Sequence, residues 1–349
     1  MQGEEPNPES GTPQGTALEF DLIQRIRQRA TTRDDVVLGI GDDAALLQPP
    51  AGRQLVVAMD TLNAGVHFPV DTAPADIGWK ALAVNLSDLA AMGAVPAWCT
   101  LSLSLPDAVS AWVDGFLDGF LELADLHRVS LVGGDTTRGP LSVCVTMHGF
   151  VEPGRALRRA GARVGDDVWV SGTLGDAAGA LALLMGAPRA TAQHPDGAND
   201  GAPSDATVSL ALRERLDRPD PRVALGIALA KIAHAAIDVS DGLFADLGHV
   251  AHASGVGADI AIDQLPTSAE LRLHFGREER RALQATGGDD YELCFVAPVA
   301  ARTAVQRAAD ASATLVTRIG SVVEAAGVRA FGAGGEAWHP MRTGHEHFR

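Results

Sequence analysis

Gly39-Ile40-Gly41-Asp42-Asp43-Ala44-Ala45-Leu46-Leu47 has the glycine spacing of a dinucleotide-binding turn, and its reading decides the fold class. A Gly-x-Gly-x-x-Gly/Ala turn offers bare backbone N–H groups to a pyrophosphate at a helix N-terminus. Asp42 and Asp43 put two carboxylates at that point. They would repel phosphates unless divalent cations lay between. The stretch is therefore read as a false dinucleotide fingerprint, which removes the main argument for a doubly wound parallel sheet.

The same device recurs along the chain. Asp60 ends an apolar run, Asp88 follows Asn85, Asp135 follows Gly133-Gly134, and Asp238 and Asp241 flank Ser240. Each alone has an ordinary explanation as a turn former, an N-cap or a solvated carboxylate. Asn85 and Asp88 fit that explanation least. They sit three apart on a helix otherwise built of Ala, Leu, Val and Met, where buried polar groups need partners. Magnesium takes one or two carboxylates and completes its shell with waters and substrate phosphates. Seven carboxylates in glycine, serine and threonine settings thus suit several ions bridging a polyphosphate. No Asp-x-Asp-x-Asp-Gly calcium loop is present.

At 349 residues the chain is long enough for about two domains. Its net charge of −16 carries no electrostatic footprint for nucleic acid. Lysine occurs only at 80 and 231, so arginine must supply positive charge at any phosphate site, and Arg138, Arg158 and Arg159 are candidates. Cys99, Cys144 and Cys294 stand singly in apolar stretches, without metal-ligand or disulfide spacing, as expected of a cytoplasmic chain. Residues 1–16 are rich in Pro, Gly and Glu with no basic or apolar region, and are expected to be a disordered tail rather than a signal peptide. No run reaches the ~20 apolar residues of a membrane span.

Periodicity predicts helices over residues 17–30, 76–92 and 108–127, and from Gly242 to about 253. Strands are predicted over 55–59 (ending on Asp60), 98–105, 129–132, 141–151, 232–237, 292–297 and 315–323, and residues 168–171 begin a second set of elements. Gly133-Gly134-Asp135-Thr136-Thr137 is read as a flexible loop able to cradle phosphate and metal. Ser240 or Asp241 is a candidate N-cap. Residues 187–221, rich in Pro, Asp, Ala and Gly, are read as a mobile insertion. Strands and helices alternate without long βαβ regularity, which favours an α+β (mixed α/β) pair of domains, 17–152 and 153–349. There is no Walker loop and no protein-kinase signature.

These motifs, together with Asp60-Thr61-Leu62 and His67, Lys80-Ala81-Leu82-Ala83-Val84-Asn85-Leu86-Ser87-Asp88-Leu89-Ala90-Ala91-Met92-Gly93, Gly133 to Gly139, Ile237 to Leu243, and Gly287-Gly288-Asp289-Asp290-Tyr291-Glu292-Leu293, resemble those of the thiamine-monophosphate kinases. That family lies within the aminoimidazole-ribonucleotide-synthetase-like ATP-binding superfamily. The resemblance runs from about Phe20 to Phe348 and passes over 187–221. It implies an N-terminal ATP- and metal-binding domain that dimerises through its sheet and a C-terminal α+β domain. It also implies phosphoryl transfer from ATP to thiamine monophosphate with several magnesium ions, the final step of thiamine diphosphate synthesis. Carried over by position, Asp43, Asp60, Asp88, Asp135, Asp238 and Asp241 are metal ligands. Gly134, Asp135, Arg159 and Ser240 are nucleotide contacts, and His67, Asp289 and His345 hold the acceptor.

Three departures from the family pattern stand out. Ala58 and Met59 stand where relatives often carry Ser and Thr, which leaves Met59 only a backbone carbonyl for a metal. Asp289 replaces a frequent Glu, and His345 replaces an aromatic residue. Two rival readings stay open. One is another superfamily member; a selenophosphate synthetase is disfavoured because the first cysteine is Cys99 and the first lysine Lys80. The other is a non-catalytic metal- or nucleotide-binding protein with a decayed site.

Overall fold

The computed structural model describes residues 19–107, 109–186, 205–340 and 344. The expected N-terminal tail, His345 and residues 187–204 of the expected insertion lie outside them.

The first half comprises α1 (Glu19–Arg29), β1 (Val36–Leu38), β2 (Leu46–Leu47), β3 (Gln54–Asn63), α2 (Pro74–Ala91), β4 (Val95–Leu105), α3 (Ser110–Leu126), β5 (Ser130–Arg138) and β6 (Ser142–Val151). The larger sheet has the order β3-β6-β4-β5, with only β4 and β5 parallel. Along β6 the odd-numbered Val143, Val145 and Met147 are buried, whereas Ser142, Cys144, Thr146 and His148 are half-exposed. That two-residue alternation puts one face of the sheet against helices and leaves the other open. α2 begins with Pro74, which needs no N–H partner in the first turn, and packs against α3. The two backbones meet through glycine: a Cβ on Gly119 would lie 1.8 Å from the Ala75 carbonyl oxygen, and one on Gly78 2.0 Å from that of Phe116.

The second half comprises β7 (Asp167–Ser171), α4 (Asp176–Leu184), α5 (Asp205–Asp217), α6 (Val223–Leu229), β8 (Ala235–Val239), α7 (Leu243–Ser254), β9 (Gly257–Ala261), α8 (Ala269–His274), α9 (Arg277–Thr286), β10 (Glu292–Ala297), α10 (Arg302–Ala311), β11 (Val316–Val323), β12 (Gly327–Phe331) and β13 (Ala337–Trp338). Its sheet runs β13-β12-β9-β11-β7-β10-β8 and is antiparallel apart from the β12–β9 pair. The core of the first half continues into the second through Trp169, Leu225, Leu229 and Phe295. The α+β expectation agrees with this arrangement.

Three sequence expectations are corrected. Asp60 does not end a strand: β3 continues to Asn63, in register with β6 as far as Ser142. Gly133 to Thr137 is not a flexible loop but part of β5, paired with β4. Gly134 is required there because a Cβ would meet the Leu101 carbonyl oxygen at 1.8 Å. The stretch 187–221 is not wholly without regular structure. Its residues 205–217 form α5, whose Leu212 and Leu216 are buried against Ala177, Ala180, Leu271 and Phe275. Its Arg213 donates to the Thr72 hydroxyl at 3.1 Å. The i, i+4 leucines were the helical signal, masked by the polar composition around them.

The glycine crossing of α2 and α3 sets a stability prediction. Gly119→Ala forces backbone apart and is expected to cost about 1–3 kcal/mol, whereas Gly248→Ala on α7, with nothing within 4 Å of the added carbon, should gain about 0.5–1 kcal/mol from helix propensity. Urea unfolding of both variants checks the pair, and equal effects would refute the assigned crossing.

Candidate active site

α2 organises the site from below. Asn85 is fully buried. Its Nδ2 donates to the Ala81 carbonyl at 3.0 Å, and its Oδ1 accepts the backbone N–H of Asp60 at 3.1 Å. The helix thereby fixes the position of Asp60 in the neighbouring strand. Two residues on, the buried Ser87 hydroxyl donates to Asp238 Oδ2 at 2.8 Å. Asp88 follows. Asp60 from β3, Asp88 from α2 and Asp238 from β8 line one cleft of about 660 Å³, with His67, Arg159, Ser240, Asp241, Asp289 and Tyr291.

The charges in this cleft oppose one another. Burial pushes the Asp60 carboxyl up. Asp88 is raised by burial and by the charges of Asp238 and Asp60, with Arg159 opposing. Burial also raises Asp238, against the lowering hydrogen bond from Ser87. Among the described residues no three carboxylate, imidazole or thiol groups converge closely enough to hold a cation unaided.

The N-terminus of α7 is already occupied. Asp246 Oδ2 accepts the N–H groups of Ser240, Asp241 and Gly242, each at 3.1 Å. Neither Ser240 nor Asp241 caps the helix, which corrects the sequence expectation and frees both for the cleft. Burial, together with the charges of Asp238 and Asp241, pushes Asp246 up to about 7.

The opposite wall is the turn from Gly287 to Tyr291. Asp289 (φ 68) and Tyr291 (φ 50) are both left-handed, a costly conformation for residues with a side chain. Backbone bonds to β8 hold it: Asp289 N–H to Ser240 O at 2.9 Å and Tyr291 N–H to Val239 O at 2.8 Å. Between them Asp290 turns inward and accepts the Gly175 N–H at 2.8 Å. Next in chain, Glu292 is fully buried between Arg222, at 2.6 and 2.7 Å, Arg215 at 2.7 Å and the Ser171 hydroxyl. Burial alone would raise its carboxyl, but the two arginines and the hydroxyl hold it below the usual range.

The remaining sequence candidates lie elsewhere in the chain. Asp42, Asp43, Gly134 and Asp135 line a recess of about 740 Å³ with Arg27 and Thr100. Asp42 Oδ1 accepts the Asp43 N–H at 2.8 Å, a turn-orienting bond. Within one chain the seven carboxylates therefore form two groups. The sheet order explains the separation, since β3 and β5 are its opposite edges. The Met59 side chain projects from β3 away from Asp60 and is 63% exposed. Ser87, Asp246 and Glu292 escaped sequence reading. A serine within an apolar helical stripe was the one signal for Ser87.

Residues 41–151 match the family model "AIR synthase related protein, N-terminal domain", and residues 163–332 match the corresponding C-terminal domain model. The chain is 49% identical to a thiamine-monophosphate kinase of Escherichia coli K12 over 281 residues, which is 80% of this chain and 82% of that protein. A crystal structure of thiamine-monophosphate kinase from Stenotrophomonas maltophilia is similar with a TM-score of 0.81 at 56% identity, covering 92% of this chain and 98% of that one. A structure of AaThiL complexed with AMPPCP and TMP is similar with a TM-score of 0.70 at 32% identity, covering 94% and 96%. The two-domain match, the shared fold and this identity over most of both chains have one reading: the chain belongs to the thiamine-monophosphate kinase family of AIR synthase related proteins.

Proposed function

We propose that this chain is a kinase that transfers the γ-phosphoryl group of ATP to thiamine monophosphate, giving thiamine diphosphate, with several magnesium ions. The crowding of the half-buried Asp60 and Asp88 with the buried Asp238 in one cleft carries the reading. The related AaThiL structure holds AMPPCP and TMP. Asp60, Asp88, Asp238 and Asp241 hold the metal, with Asp43, Asp135 and the Met59 carbonyl. Gly134, Asp135, Arg159 and Ser240 contact the nucleotide. His67, Asp289 and His345 hold the acceptor.

Magnesium bound by these carboxylates supplies positive charge between two anions that would otherwise repel. The chain's own groups position. Asn85 and Ser87 fix Asp60 and Asp238 through the bonds described above, so the ligand set is preorganised rather than assembled on binding. The acceptor phosphate has a second pKa of about 6 and is largely dianionic at neutral pH. Its oxygen attacks without surrendering a proton, and no residue is needed as general base.

A homodimer completes the site in this reading. The outer face of edge strand β3 exposes Leu55 (52%), Val57 (55%) and Met59 (63%) in a row, an apolar edge that soluble proteins normally cover. Joining β3 of one protomer to the open sheet of a second would bring Asp43 and Asp135 of the partner to Asp60 and Asp88. In this reading the domain division falls at residues 152/153. Among the described residues no helix is long and apolar enough to cross a membrane. The three free thiols support a reducing, cytoplasmic setting. Neither nucleic acid nor membrane is a partner in this reading.

Three outcomes are expected. Asp60→Asn or Asp88→Asn lowers turnover by at least about 100-fold with an unchanged circular dichroism spectrum; near-normal rates at saturating magnesium would refute the ligand assignment. Asp43→Asn and Asp88→Asn chains, each inactive alone, recover about a quarter of wild-type activity after mixing and refolding, from one intact site in half of the dimers; no recovery would refute the shared site. The third outcome concerns pH. Carboxyls raised in the folded state stabilise it only at low pH, and that contribution is lost as pH rises through their raised values. Metal binding displaces those protons, so magnesium should raise Tm more at pH 8 than at pH 6, and equal gains by differential scanning fluorimetry would count against the cluster.

A further inference from the structure

Lys80 is one of two lysines in the chain, and it is only 1% exposed. It sits on α2, five residues before Asn85. Its Nζ donates to the His67 carbonyl oxygen at 3.1 Å and lies 3.4 Å from Asp289 Oδ2. The other oxygen of the same carboxylate, Oδ1, accepts the Tyr291 hydroxyl at 3.1 Å. One ammonium thus touches the loop after β3 in the first half of the chain and the left-handed turn before β10 in the second. Both residues it touches line the cleft.

Burying an ammonium costs several kcal/mol even when it is paired, and apolar replacements of similar volume are often neutral or stabilising. A purely structural role here would be served as well by Met. The Asp289 side chain keeps about a third of its exposure, so it is the outer, cleft-facing member of the pair. A lysine suits this place because its compact charge serves two acceptors in different directions, whereas the planar fork of Arg would not fit the same enclosed point.

We propose that Lys80 is a positioning residue for acceptor binding: it clamps the His67 loop to the Asp289 turn and so fixes the spacing of the two walls that receive the non-phosphate part of thiamine monophosphate. The clamp rests on the kinase reading above. It touches neither Asp60 nor Asp88 and acts on the acceptor side alone. Its loss therefore appears in the KM for thiamine monophosphate, while the KM for ATP and kcat at saturating acceptor hold.

The test is steady-state kinetics of Lys80→Met and Lys80→Gln with full-length protein, alongside thermal unfolding. Wild type must first release ADP in the presence of thiamine monophosphate; failure at that step refutes the kinase reading and says nothing against the clamp geometry. Given wild-type turnover, the expected result is a rise of about 10-fold or more in acceptor KM, with kcat and ATP KM within about twofold and Tm within a few degrees. A lowered Tm with an unchanged acceptor KM would overturn the proposal and leave Lys80 a structural residue. Should both Lys80 variants fail to fold, Tyr291→Phe, which removes the hydroxyl that steadies the same Asp289 carboxylate and keeps the ring, replaces them. It should raise acceptor KM and leave ATP KM unmoved, and equal changes in both constants would overturn the clamp.

Discussion

Mutual repulsion among carboxylates is the constraint on which the rest of this structure depends. Asp60, Asp88 and Asp238 come from a strand, a helix and a second strand, and burial removes the water that would screen them from one another. Their neighbours are arranged to hold them there. Asn85 accepts the Asp60 backbone N–H, Ser87 donates to Asp238, and Arg159 opposes the charge on Asp88. The cost of holding three acids together shows in their titration, since all three carboxyls are raised above their ordinary values.

The same economy of polar groups governs the walls. Asp246 satisfies three N–H groups at the start of α7, the position where many folds seat a phosphate. Those three N–H groups are therefore not open to a phosphate. Glu292 plays the complementary part behind the other wall. It ties α5 and α6, through Arg215 and Arg222, to the first residue of β10. The left-handed residues just before it thereby start from a fixed anchor, and helices remote from the cleft share in shaping it.

Much of the fold was legible because periodicity survives in strongly patterned segments: 292–297 and 141–151 read directly as strands, and α2 as a helix with two misplaced polar residues. The misreadings share one cause, local composition set against tertiary pairing. Asp60 looked like a strand end because an aspartate followed five apolar residues, yet β6 continues alongside and carries β3 onward. Gly133-Gly134 looked flexible, yet the close approach of β4 demands glycine in a rigid strand. α5 was hidden by charge, although its buried leucines kept helical spacing. The site residues themselves stood out as acids in apolar or glycine settings. Their supports did not, because a buried serine, glutamate or lysine has no signature until the fold supplies its partner. Nor could spacing along one chain reveal that the seven acids form two groups, which depends on the strand order of the sheet.

α2 is packed on several sides. Thirteen of its eighteen residues are buried, and α3 presses against it through the Gly78–Gly119 crossing. The helix that carries Asn85, Ser87 and Asp88 is consequently among the last parts of the molecule to open, and its amide protons should exchange with solvent only when the whole domain unfolds. Sequence drift in this segment meets a folding filter before any catalytic one. Asp88 and the residues that position Asp60 and Asp238 are thus anchored in an element with little freedom to fluctuate.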